Sequence, residues 1–482
     1  MSAPVPTSAA AGHASTRGGF PPALLIVMYL AVGSFPLFLA WHQNGPTAGP
    51  WRALSNALAM VGFALLTVQF VISGRMRWVS GRVGIDRLMR FHQYAARGIT
   101  VALLVHPFLY VMPNLFQDGP VDAAAALADM LVNPAFTSGL TAWALLVAVM
   151  ALALLRDWLP IRYEAWRISH GIGAAAILCS GLHHAITVGS YSEDLTLAQL
   201  WIMMAALSLA SLGYLYIGRP WQLGQRPFYI SKIARVGDRL WSVTLWPAKQ
   251  HPVGMLAAAA KPRITPPIAY EAGQFAWVTL GGSPFIMADH PFSIVSSPTE
   301  GAKLSFLIEE AGDFTKVIGA LPVNSRAYVD GPFGRFTLSE GVAAAGGDAK
   351  VAGIAYVAGG VGIAPILGLL RHRRAVQETR PLRLLAGNRA ANQIVYGDEM
   401  EEWTQAMDFR ATHVLAQPPI DWSGGVGEID EAMVADWIDW PHPERWLYFV
   451  SGSRAMRAAA ERALRARCVP LARIIDEAVG YE

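Results

Sequence analysis

Charge and cysteine are what this sequence has least of. Only 15% of its 482 residues are Asp, Glu, Lys or Arg, where a soluble globular chain carries about 25%. The deficit lies before Gly218, so the chain reads as a membrane-embedded first half followed by a soluble second half. A net charge of +3, scattered along the chain, excludes a nucleic-acid-binding surface. The two cysteines, Cys179 and Cys468, are far apart and form no Cys-x-x-Cys pair. That excludes a disulfide framework, a thiolate zinc site and an iron–sulfur cluster. No internal repeat, EF-hand or other regulatory domain is evident, so calcium-independent activity is expected. Residues 1–19, rich in Ala, Ser, Gly and Pro, read as a disordered tail. The apolar run after them is too long for a signal-peptide core and lacks a small-residue cleavage site, so it is expected to be an anchor.

What is present is long apolar segments. Six are long enough to span a bilayer core, which needs about 20 helical residues: Pro21–Trp41, Leu54–Ser73, Phe91–Met112, Leu140–Trp158, Trp166–Val188 and Leu197–Ile217. Arg75, Arg77, Arg82, Arg87 and Arg90 cluster at the second connection, and Arg156, Arg162 and Arg167 at the fourth. The third connection carries Asp118, Asp122 and Asp129, and the fifth Glu193 and Asp194, with no Lys or Arg in either. Basic loops stay inside, so the even connections and both termini are expected to be cytoplasmic.

Beyond Ile217 the pattern changes. Short strand-like runs such as Phe275–Leu280, Lys303–Ile308 and Ala327–Val329, punctuated by Gly, Pro and Asn, predict a small antiparallel β-barrel over residues 226–340. After an Ala- and Gly-rich link at Gly341–Lys350, strands at Ile354–Ala358, Leu382–Ala386 and Leu447–Val450 alternate with helical stretches such as Pro365–Arg374. This predicts a parallel α/β nucleotide-binding domain over residues 350–482.

Five of twelve histidines fall in the third and fifth apolar segments. An ionisable side chain at membrane depth is costly and signals function. His92 and His106 are 14 residues apart, as are His170 and His184. On a helix that spacing is about 21 Å and falls about 40° short of four turns, so each pair shares a face. The two segments run in the same direction, which sets His92 level with His170 and His106 level with His184. Two layers of paired imidazoles suit two stacked haems with bis-histidine ligation. The competing reading of each histidine is a hydrogen bond between helices. His183 competes with His184, but its 13-residue spacing from His170 puts it on another face unless a π-bulge intervenes. Arg97 and Arg167, about a turn from the inner histidines, suit either haem propionates or cytoplasmic anchoring.

Four motifs follow in the soluble half: His290-Pro-Phe-Ser-Ile-Val-Ser-Ser-Pro, Gly312-Asp-Phe-Thr-Lys, Gly331-Pro-Phe-Gly-Arg-Phe and Tyr356-Val-Ala-Gly-Gly-Val-Gly-Ile-Ala-Pro365. Gly312 opens a helical stretch whose backbone N–H groups suit a phosphate, and Gly359, Gly360 and Gly362 permit close approach of a pyrophosphate. In this order the motifs resemble the ferric reductase and NADPH oxidase family, over about Pro21 to the C-terminus. The resemblance implies a six-helix, two-haem domain over residues 20–218 joined to a ferredoxin-reductase-like FAD and NAD(P)H module. It implies FAD contacts from His290, Pro291, Phe292 and Ser293, a pyrophosphate turn at Gly312, Asp313, Phe314 and Thr315, and an NAD(P)H turn at Gly359, Gly360, Gly362 and Pro365.

The chain departs from the family at two places. The usual Cys-Gly-Pro near the nicotinamide stands here as Ser451-Gly452-Ser453, and two residues, Tyr481 and Glu482, follow Gly480 where the family ends on an aromatic. Tyr481 is either a flavin-stacking ring or a tail residue, and Arg389 is either a contact for an NADPH 2′-phosphate or a surface arginine. The resemblance implies electron flow from cytoplasmic NAD(P)H through FAD and two b-type haems to an outer acceptor. The acidic outer connections, with Arg52 as their only Lys or Arg, favour ferric iron or a ferric chelate, with molecular oxygen as the alternative. Two other readings are a channel with a nucleotide sensor and a soluble module serving a separate oxygenase.

Overall fold

The computed structural model describes residues 20–73, 75–247 and 268–478; the expected tail at 1–19 and Tyr481 lie outside the described residues. The chain divides into two compact units, Met1–Leu215 and Tyr216–Glu482.

Apolar runs form helices in the first unit because a helix satisfies its own backbone where water is absent. Six are long: α1 (Pro22–Asn44), α2 (Pro50–Ile72), α3 (Ile85–Tyr110), α4 (Thr137–Leu154), α5 (Tyr163–Thr187) and α6 (Leu195–Gly213). Pro22 and Pro50 occupy first turns, where a missing N–H costs nothing. Among the described residues four helices are long and apolar enough to cross a membrane: Pro22–Asn44, Pro50–Ile72, Pro134–Leu154 and Leu195–Gly224. The expectation was six. Helices α3 and α5 have the length, at 26 and 25 residues, but their arginines and histidines lower their hydropathy. Residues Arg219–Gly224, after Ile217, are also helical.

Helix α2 lies at the centre of this unit, packed against α1, α3 and α6. Its Met60, Phe63, Ala64 and Phe70 share a core with Ile177, Leu178, Trp201 and Met204. Ser208 and Ser211 of α6 donate to the carbonyls of Thr67 and Phe70 at 3.1 and 3.0 Å, fixing the register of the two helices. Bonds of this kind between membrane helices contribute about 0.6–2 kcal/mol each.

Among the described residues the second unit contains two six-stranded sheets. The first comprises β1 (Phe228–Gly237), β2 (Leu240–Pro247), β3 (Phe275–Leu280), β4 (His290–Ser293), β5 (Leu304–Glu309) and β6 (Arg326–Phe333). These are antiparallel in the order β4-β3-β6-β1-β2-β5. Among the described residues its edges meet at one isolated bridge, Ile294–Phe306. Phe228, Ile230, Val243, Val278 and Phe306 fill its interior.

The second sheet comprises β7 (Ile354–Gly359), β8 (Leu382–Asn388), β9 (Phe409–Leu415), β10 (Gly425–Val426), β11 (Leu447–Gly452) and β12 (Ile474–Ala478). It is wholly parallel, in the order β10-β9-β8-β7-β11-β12. Alternate residues serve its two faces. Tyr356 and Phe449 pack with α7 (Ile363–Ala375), whereas Val357, Tyr448 and Val450 pack with α8 (Arg454–Ala466). Burial on both sides is why these strands read as continuous apolar runs. The Ala-rich link expected at Gly341–Lys350 is partly helical, because Thr337 caps a helix over Leu338–Ala344.

Candidate functional site

The structure places His92 and His106 on α3 and His170 and His184 on α5. His92 lies within electrostatic reach of His170, and His106 of His184. His183 is exposed, whereas His184 is partly buried against Gly139. All four rings are at least partly buried, yet their Nδ1 environments differ. Nδ1 of His92 lies 2.9 Å from Gln69 Oε1, and the Gln69 amide donates to the Tyr29 hydroxyl at 3.1 Å. Nδ1 of His106 lies 2.7 Å from the Leu103 carbonyl oxygen. Both oxygens only accept, so each Nδ1 carries the proton and each Nε2 keeps a lone pair, as a ligand to iron requires. Nδ1 of His170 and of His184 is buried without a hydrogen-bond partner.

Neighbouring rings and gaps shape the same layers. The Trp166 ring stacks on His170 at 5.4 Å, and Arg156 lies over Trp166 at 4.8 Å. Gly139 on α4 makes room for His184, since a Cβ there would lie 2.7 Å from its Nδ1. Arg97, one of the two arginines offered for propionates, lies over the Tyr94 ring at 5.6 Å. Among the described residues no three His, Cys, Asp or Glu side chains converge as a protein-only metal site would need. Haem iron asks less, because the macrocycle supplies four nitrogens and the chain only two. The paired imidazoles fit that requirement.

In the second unit two of the motifs meet. β4 lies against β3 in the register His290–Val278, Pro291–Trp277, Phe292–Ala276 and Ser293–Phe275. Strand alternation sends His290 and Phe292 to one face, where their rings are 6.4 Å apart. The His290 ring stacks on Phe314 at 4.5 Å and 17°, joining the His-Pro-Phe-Ser strand to the Gly-Asp-Phe-Thr turn. That turn differs from expectation. Its helix spans only Asp313–Lys316, and the Ala311 and Gly312 N–H groups already donate to Thr315 Oγ1 at 2.8 and 2.9 Å. Asp313 is exposed and 4.0 Å from Lys316.

The glycine turn lies at the carboxyl end of β7, between β8 and β11, where successive strands stop adding on one side and start on the other. Such a switch point opens a crevice at the strand ends, the usual nucleotide site of open parallel sheets. Gly360 has φ +54°, and a Cβ there would meet nothing within 4 Å, so the turn is open to a ligand. Gly362 is needed for a different reason: a Cβ there would lie 2.4 Å from the Ser451 carbonyl oxygen on β11. Pro365 is buried in the first turn of α7. Ser451 is fully buried, with its hydroxyl lacking a hydrogen-bond partner, and Gly452 beside it has φ +153°. The hydroxyl that stands in place of a thiol is thus sealed beneath the crevice. Arg389 is exposed just past the end of β8, donating from Nε to Gln417 at 3.3 Å.

Sequence reasoning passed over Gln69, Tyr29 and Gly139. Gln69 carried a usable signal, a carboxamide within an apolar run, whereas Gly139 had none until α4 was packed beside α5.

A bundle bearing paired histidines, followed by an antiparallel sheet and a parallel sheet with a glycine turn, defines a membrane flavoprotein of the oxidoreductase class. Residues 58–181 match the ferric reductase like transmembrane component, 254–337 an FAD-binding domain and 356–462 the oxidoreductase NAD-binding domain. This succession is the domain architecture of the ferric reductase and NADPH oxidase family, and the chain has it. The domain set is that of an NAD(P)H-dependent oxidoreductase in a membrane. Curated relatives include the reductase component of propane 2-monooxygenase from Mycolicibacterium smegmatis, 28% identical over 42% of this chain and 56% of its own length. The Mycolicibacterium goodii counterpart is 30% identical over 35% of this chain and 46% of its own length. The chain thus spans about half the length of these relatives. Among solved structures, the cytochrome P450 reductase of Amycolatopsis is 23% identical and covers 53% of this chain and 70% of its own, with a TM-score of 0.44.

Proposed function

We propose that this chain is a six-span membrane enzyme that carries electrons from cytoplasmic NAD(P)H, through FAD and two b-type haems, to ferric iron or a ferric chelate outside. What supports the reading is four partly buried imidazoles at matched spacing on two helices of the bundle, in a chain whose parallel sheet has a glycine turn at its switch point. His92 with His170 would hold the inner haem, and His106 with His184 the outer. His290, Pro291, Phe292 and Ser293 would line the flavin, with Gly312, Asp313, Phe314 and Thr315 near its pyrophosphate. Gly359, Gly360, Gly362 and Pro365 would seat the dinucleotide, Gly452 would leave room for its nicotinamide, and Arg389 would favour a 2′-phosphate. When bound, the flavin supplies conversion of a hydride into single electrons and the haems their transfer. The chain's own work is to orient imidazole Nε2 atoms and to keep water from the paired rings.

Helices α3 and α5 count as spans in this reading because their polar residues face one another across the histidine layers instead of lipid. Both termini are then cytoplasmic, and the outer connections are acidic. Arg52, the basic residue on that side, lies over the Tyr110 ring at 5.3 Å. An acidic mouth draws weakly complexed metal cations and gives little hold on superoxide, which favours iron over oxygen.

The test is optical. The purified full chain is reduced with NADPH under argon and then given air or ferric citrate. Haems that stay reduced in air but reoxidise with ferric citrate support the proposal. Fast reoxidation in air with dismutase-sensitive superoxide makes the chain an oxidase. A colourless preparation overturns the haem reading and leaves a channel with a nucleotide domain. In the alternative reading, a reductase serving a separate oxygenase, His92→Ala and His170→Ala would leave electron delivery untouched.

A further inference from the structure

We propose that Pro107 is a positioning residue for the outer pair of imidazoles, acting by freeing the Leu103 carbonyl to hold the His106 ring. The inference rests on the haem reading above and adds to it how one ligand is oriented.

In an α-helix the N–H of residue 107 bonds the carbonyl of residue 103. Proline has no N–H, and its ring crowds that carbonyl. Helix α3 nonetheless continues through Pro107 to Tyr110. The Leu103 carbonyl is left without its helical donor, and His106 Nδ1 stands 2.7 Å from it. The proton is thereby fixed on Nδ1 and the lone pair on Nε2. Ser55 of α2 donates to the His106 carbonyl at 2.6 Å and steadies the same turn. The residues after His170 and His184 are Gly171 and Ala185, which keep their N–H groups, and there Nδ1 has no partner. His92, also not followed by proline, uses the Gln69 side chain instead. An acceptor at Nδ1 raises the basicity of a ligating imidazole, which favours ferric iron and lowers the potential of that haem.

The test uses the full-length holoprotein. Pro107→Ala restores an N–H that competes for the Leu103 carbonyl. The outer haem should then show a more positive midpoint potential and a shifted low-spin electron paramagnetic resonance signal, with the inner haem unchanged. Alanine is the better helix former, so folding should not suffer. Ser55→Ala disturbs the same turn without touching the Nδ1 acceptor and should leave both signals in place. The α-hydroxy acid analogue of alanine at position 107 has neither ring nor N–H, and should restore the wild-type signal. Two haems with an unaltered outer signal in Pro107→Ala would overturn the inference, as would failure of the ester to restore it. Wild-type protein that purifies without haem would instead overturn the reading beneath it.

Discussion

At the residue scale the membrane site depends on small asymmetries around four similar imidazoles. Gln69 gives His92 a neutral side-chain acceptor and is itself anchored on Tyr29. Loss of a hydrogen bond behind a metal ligand typically weakens metal binding by about 10–100-fold. If His92 and His170 hold a haem as proposed, Gln69→Leu should retain it about tenfold less well and raise its midpoint potential, leaving the second haem unaffected; a redox titration followed optically reads both. Gly139→Val places its side chain where the His184 ring stands. Haem content by pyridine haemochrome should fall from two to one per chain, and two retained haems would contradict the placement of His184 as a ligand.

At the element scale the second unit depends on close contact between a turn and a strand. Gly362 lies so near the Ser451 carbonyl that Gly362→Ala must push the β7 turn away from β11. Overpacking of this kind costs about 1–3 kcal/mol. The variant should reduce its haems slowly with NADPH and at the normal rate with dithionite, which bypasses the crevice. Helix α7 carries a second handle. Burial, with Arg373 adding to it, pushes His372 down to about 4 from an ordinary 6.5, and its Nδ1 is 3.2 Å from Ser297 Oγ. The unfolded chain then binds more protons between those values, so stability is full above about pH 6.5 and declines as pH falls toward 4. The thermal midpoint of the full chain should drop between pH 7 and pH 5 in the wild type and drop less in His372→Gln. An equal drop in both would remove His372 as the cause. Glu378 acts lower in the range: burial opposes its ionisation, but Arg380 and Arg373 hold its carboxyl at about 2, so its contribution is lost only below about pH 4.5.

At the scale of the whole molecule, sign of charge divides the connections between the helices. Arginines crowd the second and fourth connections, and carboxylates the third and fifth. If the acidic side receives the acceptor, a cationic ferric complex should be reduced faster than ferric citrate at low ionic strength. The difference should shrink as salt rises, because a Debye length falls from about 10 Å at 0.1 M to about 3 Å at 1 M. Rates that ignore both charge and salt would place electron exit away from these carboxylates.

Much of this architecture was legible in one dimension because it follows from periodicity and solvent preference. Apolar length determined the helices, the 14-residue spacing determined which histidines share a face, and runs of buried β-branched and aliphatic residues marked β7, β8 and β11. The motif order determined the family architecture, since each motif is a local backbone requirement. Tertiary structure alone decided the rest, because those features arise between segments distant in the chain. It set Gln69 behind His92, 23 residues away, and Gly139 against His184. It also stacked Phe314 on His290 and sealed Ser451 beneath the glycine turn. A hydrogen bond or a steric gap between helices leaves no period in either helix, so only packing reveals it.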